Sequence, residues 1–130
     1  MRYLVDTDIL IDALNGRVDA GDWIAAHAAD GLAISIVSIG EIYEGAYHTA
    51  DPAGHVATLR QFLHDFRKLT LTEAIMDIFA RERAALRRQG QLIPDMDLLI
   101  AATALAHDLT LATRNTRHFA RVPHLRVATI

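Results

Sequence analysis

Short apolar runs of strand length, each followed closely by helical periodicity, constrain this chain more than any other feature. Tyr3-Leu4-Val5 runs into Asp6, after which Ile9, Leu10, Ala13 and Leu14 recur at helical spacing until Asn15-Gly16 stops the helix. Leu32 to Val37 is a second branched apolar run, and Ser38 opens a helix carrying Ile39, Ile42, Tyr43 and Ala46 on one face. Lys68 to Leu71 is a weaker strand, and Thr110–Thr113 and Leu125–Val127 complete the set. Further helices are predicted from Asp19 to about Ala29, from Asp51-Pro52 to about Phe66, and from Thr72 to near Gly90. Pro94-Asp95 begins another, apolar enough from Leu98 to Ala106 to be buried on most sides. The alternation predicts an α/β fold, with helices layered on a mostly parallel sheet. Right-handed crossovers then bring every strand C-terminus to one edge. Open α/β sheets bind their ligands at that edge.

A chain of 130 residues suits one domain spanning 1–130, and a hydrophobic content of 52% can fill its core. No apolar stretch approaches the roughly 18 residues of a membrane span, and acids arrive too early for a secretory leader. The absence of cysteine rules out disulfides and thiolate zinc sites and fits a cytoplasmic address, so any metal needs oxygen or imidazole ligands. The net charge of −3 does not mark a nucleic-acid binder, yet its distribution is uneven. From Leu109 onward there is no Asp or Glu, while Arg114, Arg117, Arg121 and Arg126 all occur there. Arg114, Arg117 and Arg121 are candidates for gripping a phosphate backbone. A solvated basic tail is the plainer reading.

Three acids are placed to reach the strand-end edge. Asp6 ends the first strand, Glu41 lies early in the helix after the second, and Asp97 lies in the first turn of the helix before the Thr110 strand. Crowded carboxylates repel one another, and some protonate unless a cation sits between them. A hard divalent ion such as Mg²⁺ takes oxygen ligands, activates water and offsets charge building on a phosphodiester. Each acid also has a structural reading. Ser38-Ile-Gly-Glu41 matches a capping box, Asp95 and Asp97 suit a helix start, and Asp6 can cap the first helix.

Tyr3-Leu-Val-Asp-Thr-Asp-Ile-Leu-Ile-Asp12 resembles the opening motif of the PIN-domain ribonucleases, specifically the VapC-type toxins of toxin–antitoxin pairs, which usually carry Asn where Asp8 stands. Ile34 to Gly45, Ile93 to Ala104, and Leu109 to Arg126 with Thr113-Arg-Asn-Thr-Arg-His-Phe119 resemble the remaining motifs, in order and at family spacing. The resemblance implies a three-layer α/β/α sandwich and metal binding by Asp6, Glu41 and Asp97, with Asn115 at a fourth position of the catalytic set. Thr7, Ser38 and Thr113 match small hydroxyl residues that hold waters around the metal, and Asp95 either joins them or only caps its helix. It further implies Mg²⁺ or Mn²⁺ dependence, cutting of structured RNA such as transfer or ribosomal RNA, homodimers, and inhibition by a small VapB-like antitoxin.

Two other enzyme-like folds share an acidic strand end. A haloacid-dehalogenase-like phosphatase would use Asp6 as nucleophile and Asp8 as general acid, but the usual Gly-Thr after the second Asp is missing and Lys68 is the only lysine. A receiver domain would need a lysine near the C-terminus. A non-catalytic RNA-binding module on the PIN fold would gain nothing from massed negative charge facing phosphate. None of the seven histidines falls on a matched motif position, and His107 and His118 read as surface or half-buried residues.

Overall fold

The computed structural model describes residues 1–130. Its strands are β1 (Tyr3–Val5), β2 (Leu32–Ser35), β3 (Arg67–Leu69), β4 (Thr110–Thr113) and β5 (Val127–Thr129). They form one sheet in the order β3-β2-β1-β4-β5, and every neighbouring pair is parallel. The helices are α1 (Thr7–Leu14), α2 (Val18–His27), α3 (Ile36–Ala46), α4 (Pro52–Leu63), α5 (Glu73–Arg88), α6 (Asp95–Ala106) and α7 (Thr116–Phe119).

The two-residue period of the strands divides the core. Leu4, Ala33 and Leu111 point to one face and pack with Leu86, Leu98, Ala101 and Phe119 from α5, α6 and α7. Val5, Leu32 and Ile34 point to the other and pack with Ile9, Leu10, Ala20, Ile42 and Leu63 from α1 to α4. The result is the expected α/β/α sandwich. No helix is long and apolar enough to cross a membrane.

Several boundaries differ from those read off the sequence. The second strand stops at Ser35, whose Oγ accepts from the Val37 amide at 3.0 Å and so caps α3. Helix α3 therefore begins before Ser38, and the Ser38–Glu41 capping box does not exist. Ser38 is instead a fully buried residue inside the helix. Helix α4 ends at Leu63 rather than Phe66, and the last strand begins at Val127 rather than Leu125. The short helix α7 was not expected, because four residues are too few to display a period. At the end of α1, Gly16 takes φ of 82°, a left-handed conformation that suits glycine.

Candidate active site

Asp6 follows β1 and is the N-cap of α1, with extended backbone and a side chain only 4% exposed. Its Oδ1 accepts from the Thr7 amide at 2.8 Å, and its Oδ2 accepts from Thr113 Oγ1, at the end of β4, at 2.7 Å. Capping and site membership are thus combined in one residue. Burial, aided by the negative charges of Asp8 and Asp97, raises the Asp6 carboxyl from 3.8 to about 7, although the two hydrogen bonds pull it down.

Glu41 reaches the same edge from α3. Thr7 Oγ1 lies 2.7 Å from Glu41 Oε1 and 2.9 Å from Ser38 Oγ, so the first turn of α1 is bound to α3 through one hydroxyl. A hydroxyl has one proton, and the carboxylate is the stronger acceptor, so Thr7 donates to Glu41 and accepts from Ser38.

Asp97, in the first turn of α6, forms a third group with Asn115 and His118. Its Oδ2 lies 2.7 Å from His118 Nδ1 and 3.5 Å from Asn115 Nδ2. The Asn115 amide group is also 2.9 Å from His118 Nδ1. Sequence reading passed over His118. The only available signal was its position three residues beyond Asn115, one helical turn away on what proves to be α7.

Asp8, outside the acid set that the resemblance implies, is also brought in. Its Oδ2 accepts from the Arg114 amide at 3.0 Å and stands 3.3 Å from Thr113 Oγ1, and burial raises its carboxyl above the ordinary value. That position ties it to backbone rather than leaving it poised as a free acid. The remaining candidates lie elsewhere. Asp95 is exposed and paired with Arg83 at 2.8 Å, a surface ion pair between α6 and α5. The guanidinium of Arg114 turns away from the acids, to Asp12 at 2.6 Å and Asp19 at 3.0 Å, because these carboxylates on α1 and α2 lie within its reach. Arg121 meets the Leu92 carbonyl at 3.1 Å, while Arg117 is exposed on α7.

As the side chains stand, no three Asp, Glu or His groups meet closely enough to ligate one ion. The donor chemistry nonetheless fits a hard divalent cation, since Asp6, Glu41 and Asp97 offer carboxylate oxygens at one edge. A carboxyl raised to about 7 by burial and like charge is one that a cation would return to the ionised state. Holding an ion with all three requires these carboxylates to come closer together than they stand. A cleft of about 760 Å³, lined by Ile11, Ile42, Ala46 and Leu59 among others, runs between α1, α3 and α4 and includes Glu41 in its wall.

The PIN domain family model matches residues 3–125. Ribonuclease VapC10 of Mycobacterium tuberculosis is 40% identical over 124 residues, covering 95% of this chain and 90% of its own. Among solved structures, VapBC2 of Rickettsia felis bound to a promoter DNA fragment matches with a TM-score of 0.92 at 26% identity, over 100% of this chain and 99% of the matched one. A toxin–antitoxin complex from Klebsiella pneumoniae matches at 33% identity with a TM-score of 0.73, over 98% and 96% of the two chains. With an all-parallel sheet that gathers Asp6, Asp8, Asp97 and Glu41 at its strand-end edge, and relatives similar over nearly their whole length, the chain belongs to the PIN-domain family, in its VapC-type branch.

Proposed function

We propose that the protein is a divalent-metal-dependent endoribonuclease that acts as the toxin of a toxin–antitoxin pair. The observation that carries this reading is the buried Asp6 carboxyl, raised to about 7 beside Asp8 and Asp97 with no arginine or lysine to neutralise it. The likeness to relatives named as ribonucleases, and to a structure described as a toxin–antitoxin complex, supports the same reading.

Asp6, Glu41 and Asp97 would hold the metal, Mg²⁺ or Mn²⁺. The chemistry supplied by a divalent ion there would be activation of water and stabilisation of charge on the departing oxygen. Thr113 and the Thr7 amide fix the two oxygens of Asp6, and the Thr7 hydroxyl, backed by Ser38, orients Glu41. Asn115 carries no charge and orients substrate or water beside Asp97. Arg117 and Arg121 hold the RNA backbone. Arg114 is committed to Asp12 and takes no part in that grip. Added water leaves a 5′-phosphate and a 3′-hydroxyl, without the ribose 2′-hydroxyl acting as nucleophile. The substrate is structured RNA of the transfer or ribosomal type, recognised by shape and exposed loops. Asp95 is not the cap of α6, because Pro94 holds that position and no side chain bonds to the helix start; its charge in the first turn favours the helix.

The test is cleavage of transfer and ribosomal RNA with Mg²⁺ or Mn²⁺. Cutting is expected to vanish with EDTA and in Asp6→Ala and Asp97→Asn. Full activity in either variant, or a 2′,3′-cyclic phosphate product, would overturn the assignment. Co-expression with the product of the adjacent small gene is expected to relieve growth arrest, and the solution mass of the protein alone is expected to be that of a homodimer.

A further inference from the structure

We infer that His118 is a positioning residue for Asp97, donating from Nδ1 to one carboxylate oxygen and leaving the other for the metal. The inference rests on the metal reading above and goes beyond the acid set to an imidazole.

The geometry is specific to one ring nitrogen. Nδ1 stands 2.7 Å from Asp97 Oδ2, a charge-assisted distance, with the two side chains 33% and 19% exposed. Asp97 as an anion only accepts, so the proton on the contact belongs to Nδ1, and this selects the Nδ1–H form of the imidazole. The Asn115 amide nitrogen lies 2.9 Å from the same ring nitrogen and 3.5 Å from the same Asp97 oxygen, so the three side chains meet at one point. Asp97 Oδ2 takes the Nδ1 proton of His118, with the Asn115 amide beside both.

The backbone makes the arrangement stiff. His118 lies on α7, whose Phe119 is fully buried in the core cluster that contains Leu98 and Ala101 of α6. Asn115 is the residue before α7, and its amide donates to Thr113 Oγ1 at 2.9 Å, the same hydroxyl that serves Asp6. Asp97 and Asp6 are thus connected through His118, Asn115 and Thr113. Groups that hydrogen-bond to metal ligands commonly change metal affinity by about 10–100-fold when removed.

The experiment compares Mn²⁺ binding by calorimetry in wild type, His118→Ala, His118→Asn and His118→Gln, with circular dichroism as a check on folding. The amide nitrogen of Asn stands near the place of Nδ1, whereas that of Gln stands near Nε2. Affinity is expected to fall about tenfold or more in His118→Ala and His118→Gln, and to be largely restored in His118→Asn. The ring ¹⁵N spectrum of metal-free wild type is expected to show an Nδ1–H imidazole at His118, a readout that needs neither a variant nor a metal. Equal affinity in wild type and His118→Ala would overturn the inference. Restoration by Gln instead of Asn would also overturn it, in favour of action through Nε2. An Nε2–H tautomer at His118 would do the same. No Mn²⁺ binding by wild type would defeat the metal reading itself, whereas binding unaffected by His118 defeats only the present inference.

Discussion

Helix α1 carries acids of two kinds, and their surroundings differ sharply. Asp12, at its far end, has Arg114 at 2.6 Å and Arg17 at 3.6 Å, and Asp19 shares the same two arginines. Asp6 and Asp8, at its start, have only hydroxyls and backbone amides. Hydrogen bonds from neutral donors do not cancel a buried charge, so burial and mutual repulsion raise both carboxyls. The acids neutralised by arginine tie α1 and α2 to the segment after β4. The acids left without a cation are the ones that can recruit one.

The largest test of this contrast is catalytic. Asp6→Ala is expected to lower RNA cleavage by about 10³-fold or more while leaving the fold intact, because it removes a ligand and relieves repulsion at once. Arg114→Ala should do the reverse, costing about 2 kcal/mol in urea unfolding through the Asp12 carboxylate it strands, since that pair lies between surface and fully buried cases. A fold undisturbed by the loss of Arg114 would erase the distinction between the two groups of acids.

The pH dependence sharpens it next. Asp6 has a folded value near 7 against 3.8 for the free side chain, so the folded state holds its proton more tightly than the unfolded state. Without divalent cation, its contribution makes stability fall as pH rises from about 4 to about 7 and then level off. The full effect is on the order of 4 kcal/mol, and the raised Asp8 acts in the same direction. Asp6→Asn should remove most of that slope in thermal melts and exceed wild type in stability at pH 8. Mg²⁺ added at pH 8 should stabilise wild type more than this variant. A flat wild-type profile would mean that the Asp6 charge is compensated after all.

The smallest effect belongs to the exposed pair of Asp95 and Arg83. Asp95→Ala is expected to cost roughly 0.5 kcal/mol or less and to leave Mn²⁺ affinity unchanged, as for other solvent-screened pairs. A clear loss of affinity would return Asp95 to the metal's surroundings.

The layered architecture was legible because short apolar strands and amphipathic helices have different periods, and Asp6 lies at the junction where one gives way to the other. Position brought Glu41 and Asp97 to the same edge, but only the family resemblance made them metal ligands, since a helix start offers a structural reason for either acid. Ser38 misled because a serine three residues before a glutamate satisfies a capping pattern whether or not a helix begins there. Ser35, one turn earlier, holds the cap in fact. His118 and the inward turn of Asp8 were illegible for a different reason. Both depend on how α7 and the residues after β4 lie against α6 and α1, a matter of packing between segments remote in sequence.

The place of β1 in the sheet has a consequence in time. It lies between β2 and β4, and the hydrogen bonds along one whole side of it await Thr110–Thr113. The Thr113 hydroxyl that holds Asp6 arrives with the same strand. Until residues 110–113 join the sheet, β1 keeps one open edge and Asp6 lacks the hydroxyl that fixes it, so the sheet and the acidic site are completed by the same segment.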